Sequence, residues 1–161
     1  MNNMLTKVRI RWMEPADLPQ IVGIEHAEYP FPWTDKDFEI TLNTDNVIAH
    51  VACDPNEPSR VLGYMLLEPK RNRFNVLNLT VSWRYNADSL VLDSLLSYAK
   101  AKLRKGMIDK IIVYVEELNV LMQVRLREQG FATKRSTVGP TRSRERGTMF
   151  VFKYEIPKDT K

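Results

Sequence analysis

Phe74–Leu103, FNVLNLTVSWRYNADSLVLDSLLSYAKAKL, is the stretch whose reading decides the fold. Its first eight residues, FNVLNLTV, read as a strand. From about Ser89 to Arg104 the pattern changes to helical spacing. Leu92, Leu95, Leu96, Ala99 and Leu103 form one apolar stripe. Lys102, Arg104 and Lys105 suit the negative end of the helix dipole, and Gly106 is a stop signal. A strand running into a helix can hold a phosphate, because the first helical N–H groups lack partners and the dipole is positive there. Such turns usually carry glycines. Asn86–Val91, NADSLV, carries none and has Asp88 instead.

Working outward gives the remaining elements. Upstream, VRIRWM from Val8 alternates as a strand, and Pro15 and Asp17 open a helix through Leu18, Ile21, Val22 and Ile24. Pro30 and Pro32 make YPFPW a rigid turn, and Thr34 caps a second helix, TDKDFEITL. VIAHVAC and VLGYMLLE flank the turn DPNEPSR, which predicts a hairpin that continues into FNVLNLTV. Downstream, IIVYV is apolar throughout, as a central strand is. LNVLMQVRLREQGF reads as a helix ending at Gly130, and FATKRSTV and TMFVFKYEI close the chain as strands. The predicted order is β-α-α-β-β-β-α-β-α-β-β. It implies an α/β fold in one domain over residues 1–161, with only the tail 157–161 loose.

The 161 residues are 43% hydrophobic and 27% charged, the balance of a globular protein. No apolar run approaches the roughly 18 residues that span a bilayer, and the start of the chain lacks the apolar centre of a signal peptide, so a cytoplasmic protein is expected. One cysteine, Cys53, excludes an internal disulfide and multi-cysteine metal sites. Two histidines, His26 and His50, show no metal-site spacing. The net charge of +4 favours acidic partners weakly. The dense basic run, Thr141–Gly147, offers Arg142, Arg144 and Arg146 to an acidic protein partner or simply to solvent. It lacks the interleaved aromatics of a nucleic-acid platform, so no specific nucleic-acid binding is expected.

These elements and motifs resemble the GNAT superfamily of acyl-coenzyme A-dependent N-acetyltransferases. EYPFPWTDKDF is similar to the turn between the first two helices in the branch that acetylates protein N-termini, ribosomal proteins included. LNLTV resembles the fourth strand, whose backbone pairs with pantetheine. VEELNVLMQVRLREQGF resembles the stretch in which an asparagine, here Asn119, opens a helix ending in Gly-Phe. TMFVFKY resembles the closing strand. The resemblance implies a mixed, mainly antiparallel, seven-stranded sheet with helices on both faces. It also implies transfer of an acetyl group from acetyl-coenzyme A to an amine of a protein or peptide. Leu79, Val81, Ser89, Leu90 and Asn119 are the cofactor-binding positions it marks.

Several positions depart from the pattern. The superfamily's phosphate loop reads Gln/Arg-x-x-Gly-x-Gly/Ala, and neither window here has a glycine, NADSLV from Asn86 or, shifted by one inserted residue, ADSLVL from Ala87. A carboxylate at Asp88, about 4 Å from a diphosphate, would repel each unit charge by roughly 4 kcal/mol at an effective dielectric near 20. As a helix cap, Asp88 or Ser89 would be worth about 1 kcal/mol. Tyr114, in VYVE, stands where the branch has a glutamate that helps deprotonate the amine. Leu126 stands where the superfamily has a tyrosine acid, and leucine does no proton chemistry. Tyr114 and Glu116 are the candidate catalytic groups, with Glu117 and Glu68 as further carboxylates. Two readings stay open: an acetyltransferase with a degenerate site, and a protein that kept the fold as a binding or regulatory module.

Overall fold

The computed structural model describes residues 5–85, 89–136 and 148–158. Asp88 and Arg142, Arg144 and Arg146 lie outside the described residues, as does the tail from 159. The strands are β1 (Arg9–Trp12), β2 (Ile48–Asp54), β3 (Glu57–Pro69), β4 (Arg73–Val81), β5 (Lys110–Glu116), β6 (Ala132–Ser136) and β7 (Met149–Glu155). The α-helices are α1 (Leu18–Glu28), α2 (Asp35–Leu42), α3 (Leu90–Ala101) and α4 (Val120–Glu128). Their order is the one the sequence predicts. Short 3-10 turns, Pro15–Asp17 and Trp83–Tyr85, precede α1 and follow β4.

The seven strands form one sheet in the order β1-β2-β3-β4-β5-β7-β6. β1–β2, β2–β3, β5–β7 and β6–β7 pair antiparallel, whereas β4 and β5 run parallel, with Arg73–Val76 opposite Lys110–Val113. The described chain divides into two compact units, residues 1–67 with 78–98, and residues 68–77 with 99–161.

In the first unit, α1 is entered through a bidentate ion pair. Arg11 Nη1 and Nη2 each donate to the Asp17 carboxylate at 2.8 Å, and Glu14 N–H donates to it at 2.8 Å. Burial pushes the Asp17 carboxyl up, but the hydrogen bonds from Arg11 and the Glu14 N–H, with the Arg11 charge, outweigh it and hold the group below its ordinary value. α2 begins in a reciprocal cap. Asp37 N–H donates to Thr34 Oγ1 at 3.2 Å, and Thr34 N–H donates to Asp37 Oδ2 at 2.9 Å. β3 is longer than its apolar run predicts, because the exposed residues Glu57–Arg60 extend it. Gly63 is required by close approach. A Cβ there would sit 2.8 Å from the Thr80 carbonyl oxygen and 3.2 Å from both Val81 Cα and Val91 Cγ1. Hence β3 can lie close to β4 and the start of α3 only with glycine at this place.

α3 buries Leu92, Leu95, Leu96 and Ala99, the stripe its spacing predicts. It ends at Ala101, earlier than the pattern suggests. Lys102 and Leu103 N–H bond to Ala99 and Lys100 carbonyls three residues back, and Gly106 (φ +78°) serves the turn into β5 instead. In the second unit, Gly130 (φ +86°) closes α4. Phe131 N–H reaches the Leu126 carbonyl at 3.0 Å, and Gly130 N–H reaches that of Arg127 at 3.0 Å. Both bonds satisfy carbonyls that a helix end would otherwise orphan.

Candidate active site

The sequence pattern assigns α1 an apolar face. The structure places a carboxylate in it. Ile21 and Glu25, one helical turn apart, are both fully buried. Three donors converge on the Glu25 carboxylate, two of them from distant strands. Trp33 N–H donates to Oε1 at 3.0 Å, Asn78 Nδ2 donates to Oε2 at 3.0 Å, and the Tyr64 hydroxyl donates to Oε2. The Tyr29 N–H bonds to the Glu25 backbone carbonyl at 3.1 Å. A buried carboxylate is tolerable when donors saturate it in this way. Burial and the neighbouring Glu25 charge raise the Tyr64 hydroxyl well above its ordinary value, so this phenol stays protonated and stays a donor.

The network continues along β4. Thr80 Oγ1 donates to Asn78 Oδ1 at 2.8 Å and lies 3.3 Å from the Tyr29 hydroxyl. Asn78 and Thr80 are two residues apart on the strand, so their side chains share a face. Both are buried, while Tyr29 is half-buried at the end of α1. One residue earlier, Glu28 Oε1 accepts from Trp83 N–H at 2.6 Å, which ties the end of α1 to the turn after β4. Burial raises the Glu28 carboxyl, and the Trp83 bond offsets part of that shift. Phe31 and Trp83 are exposed large aromatics, with the Arg84 guanidinium 5.5 Å from the Trp83 ring centre.

Leu79 and Val81 are buried on β4, and Ser89 and Leu90 open α3. Ser89 has φ +58°, the left-handed shape that favours glycine. In the unshifted phosphate window it occupies the first glycine's place. The Ser89 hydroxyl donates to Asp93 Oδ2 at 2.9 Å.

The other expected residues fall in the second unit. Asn119 caps α4, its Oδ1 accepting from Met122 N–H at 3.2 Å, and its N–H bonds to the Glu116 carbonyl at 3.0 Å. Gln123 Nε2 adds a bond to the same Glu116 carbonyl at 3.2 Å and one to Glu117 at 2.8 Å. Thus Glu116 and Asn119 are brought together at one strand-to-helix corner. Tyr114 lies on β5 opposite Val151 and is half-buried. Leu126 is fully buried, a core residue of α4. Glu68 is ion-paired to Lys70 at 2.9 Å.

Sequence reasoning missed Glu25, Tyr29, Tyr64, Asn78 and Thr80 as a set. One signal was available: a charged residue one turn after Ile21 on an apolar face, and two polar residues alternating within LNLTV. Cys53 is buried, and His50 is buried with its ring 4.3 Å from Trp12 and 4.6 Å from Tyr98. Among the described residues no cluster of three or more His, Cys, Asp or Glu could hold a metal ion, and no helix is long and apolar enough to cross a membrane.

No protein-family profile matches the sequence, and no curated protein matches it by sequence. Solved structures match the fold. The ribosomal-protein-S18-alanine N-acetyltransferase from Escherichia coli superposes with a TM-score of 0.70 at 17% identity, covering 96% of this chain and 97% of that one. The NatC complex bound to Gag peptide and CoA gives 0.72 at 18%, covering 94% and 100%. PaiA N-acetyltransferase from Thermoplasma acidophilum, in complex with coenzyme A, gives 0.70 at 16%, covering 94% and 100%. The chain has the fold of the GNAT N-acetyltransferases.

Proposed function

We propose that this chain moves an acetyl group from acetyl-coenzyme A to an amine of a protein or peptide. The observation that carries the reading is the fold likeness to N-acetyltransferases along nearly the whole chain, 96% of it for the Escherichia coli enzyme. Acetyl-coenzyme A supplies the thioester whose carbonyl carbon the amine nitrogen attacks. The β4 backbone at Leu79 and Val81 would hold the pantetheine arm, and Asn119 is the further cofactor-binding residue we propose. Ser89 and Leu90 would meet the diphosphate. The left-handed Ser89 supports this, because it keeps the backbone shape of a glycine loop without the glycine.

The chemistry needs little from the protein beyond placement. Holding donor and acceptor together removes much of the entropic barrier. A peptide amine has a pKa near about 7.7–8.0, so a fair fraction is neutral at mildly basic pH. Glu116 and Tyr114 are the catalytic groups we propose, the Glu116 carboxylate taking up the proton that nitrogen loses and the Tyr114 hydroxyl serving as a hydrogen-bond donor. The leaving thiolate, with a thiol pKa near about 8.5, needs no strong acid, which makes Leu126 tolerable in the tyrosine's place.

The test is incubation of the wild-type chain with acetyl-coenzyme A and peptides bearing free N-termini, with spermidine as a second amine. Mass spectrometry should find acetylated peptide and an equal amount of released thiol. No acetylation of any amine overturns the reading, and acetylation of spermidine alone overturns the peptide acceptor.

A further inference from the structure

We propose that the outer face of α4 is the contact surface for a second copy of this chain, the two α4 helices lying antiparallel across a two-fold axis at Leu121. This contact asks nothing of the proposed transfer chemistry.

The first observation is where α4 puts its apolar residues. An amphipathic helix turns them to the core, as α3 does with Leu92, Leu95, Leu96 and Ala99. α4 buries Leu126 alone. Leu118, at its entry, is 91% exposed, and Val120, Leu121 and Val124 are 61%, 46% and 44% exposed. Leu121 and Val124 are three positions apart and share one side of the helix, with Leu126 on the other side. Leu118, three positions before Leu121, continues the row. The turn that carries it is tied to α4, since Gln123 Nε2 donates to the Glu117 carbonyl at 2.8 Å and Asn119 N–H to the Glu116 carbonyl at 3.0 Å. Single exposed apolar residues are ordinary, whereas a contiguous row of them marks a contact surface.

Charge selects the occupant. Glu117 is exposed at one end of the row and Arg125 is half-buried at the other, each four positions from Leu121. A two-fold axis at Leu121 reverses the row onto itself. Leu121 then meets its own copy, Leu118 meets Val124 across the axis, and Glu117 meets Arg125. Each unlike pair occurs twice, as an isologous contact requires. A parallel arrangement would instead set Glu117 against Glu117 and Arg125 against Arg125, which like charges oppose. Arg125 Nη1 already donates to Glu128 at 3.2 Å, but a guanidinium has five N–H donors and can hold a second carboxylate. An anionic lipid surface would cover the apolar row and repel Glu117. The second copy matches both the row and the charges at its ends. α4 spans nine residues, about 13 Å, so the contact is small and the association weak, with a dissociation constant on the order of micromolar to millimolar.

The experiment is sedimentation velocity on the full chain over a range of concentrations. It compares the wild type with Leu121→Glu, Glu117→Arg, Arg125→Glu and the double variant carrying both charge reversals. The wild type should show a monomer–dimer equilibrium with nothing larger, because a two-fold contact closes on itself. Leu121→Glu places like charges at the axis and should raise the dissociation constant about tenfold or more. Each single charge reversal should weaken the dimer as well, and the double variant should bring it back. Glu117 and Leu121 are exposed, so their variants keep the fold, which far-UV circular dichroism checks. A wild type that stays monomeric at about 1 mM overturns the proposal. So does a dimer that tolerates Leu121→Glu, or a double variant as weak as the single ones. A monomeric wild type that binds vesicles of anionic lipid gives the face to a lipid surface and overturns the dimer.

Discussion

Two polar regions of this molecule are built in opposite ways. Around Glu25, groups from Tyr29, Trp33, Tyr64, Asn78 and Thr80 meet, drawn from positions up to 55 residues apart if the neighbouring Glu28–Trp83 bond is counted. Around Asn119, the described side-chain bonds are local. The cap serves Met122, and Gln123 serves the carbonyls of Glu116 and Glu117. The first region depends on the tertiary fold. The second finishes one helix and would do so in many folds.

The largest difference between them should appear in stability. Glu25→Ala leaves the Tyr64 hydroxyl, Asn78 Nδ2 and Trp33 N–H buried around a missing acceptor. That should cost about 3–5 kcal/mol, read from urea unfolding. A cost below about 1 kcal/mol would mean that the cluster rearranges freely.

A smaller effect, about 2 kcal/mol, is expected at Asp17, whose bonds to Arg11 join two elements of the same unit. Its carboxyl is held below the unfolded value near about 3.9. A carboxyl depressed in the folded state contributes stability that is complete above the unfolded pKa. That contribution is lost as pH falls through the folded pKa. Stability should therefore be level toward neutral pH from this source and drop below about pH 4, and Asp17→Asn should remove that part of the acid sensitivity.

At Asn119 the local character predicts the smallest change. Asn119→Ala should cost about 1 kcal/mol, the ordinary value of a helix cap. It should also add independently to Glu25→Ala, since the two share no partner among the described bonds. Non-additive costs would tie Asn119 to the cluster and erase the contrast.

The same contrast explains what the sequence discloses. Thr34 with Asp37, Asn119 with Met122 and the Gly130–Phe131 ending are short-range devices, and each is legible because its partners sit within a few residues. The Leu92–Ala99 stripe is legible because helical period alone defines it. Glu25 is not legible, since the residue that explains it, Asn78, lies 53 positions away and becomes its neighbour only when β4 takes its place in the sheet. Gly63 is hidden for the same reason. It reads as an ordinary strand residue until Thr80 and Val91 close over it. The glycine-free turn misleads in the other direction. Its lack of glycine suggests a lost conformation, yet Ser89 adopts the left-handed shape itself.

The most direct test lies in catalysis. Glu116→Gln and Tyr114→Phe each remove one proposed catalytic group from β5. Acetyl transfer to a peptide N-terminus should be measured for both at one pH of about 8, against the wild type. Much of the amine is neutral there, and its nitrogen still has one proton to shed after attack. Taking up that proton is worth more than one hydrogen bond. The account predicts that Glu116→Gln loses about tenfold more kcat/KM than Tyr114→Phe. Equal losses, or a larger loss at Tyr114, would contradict it.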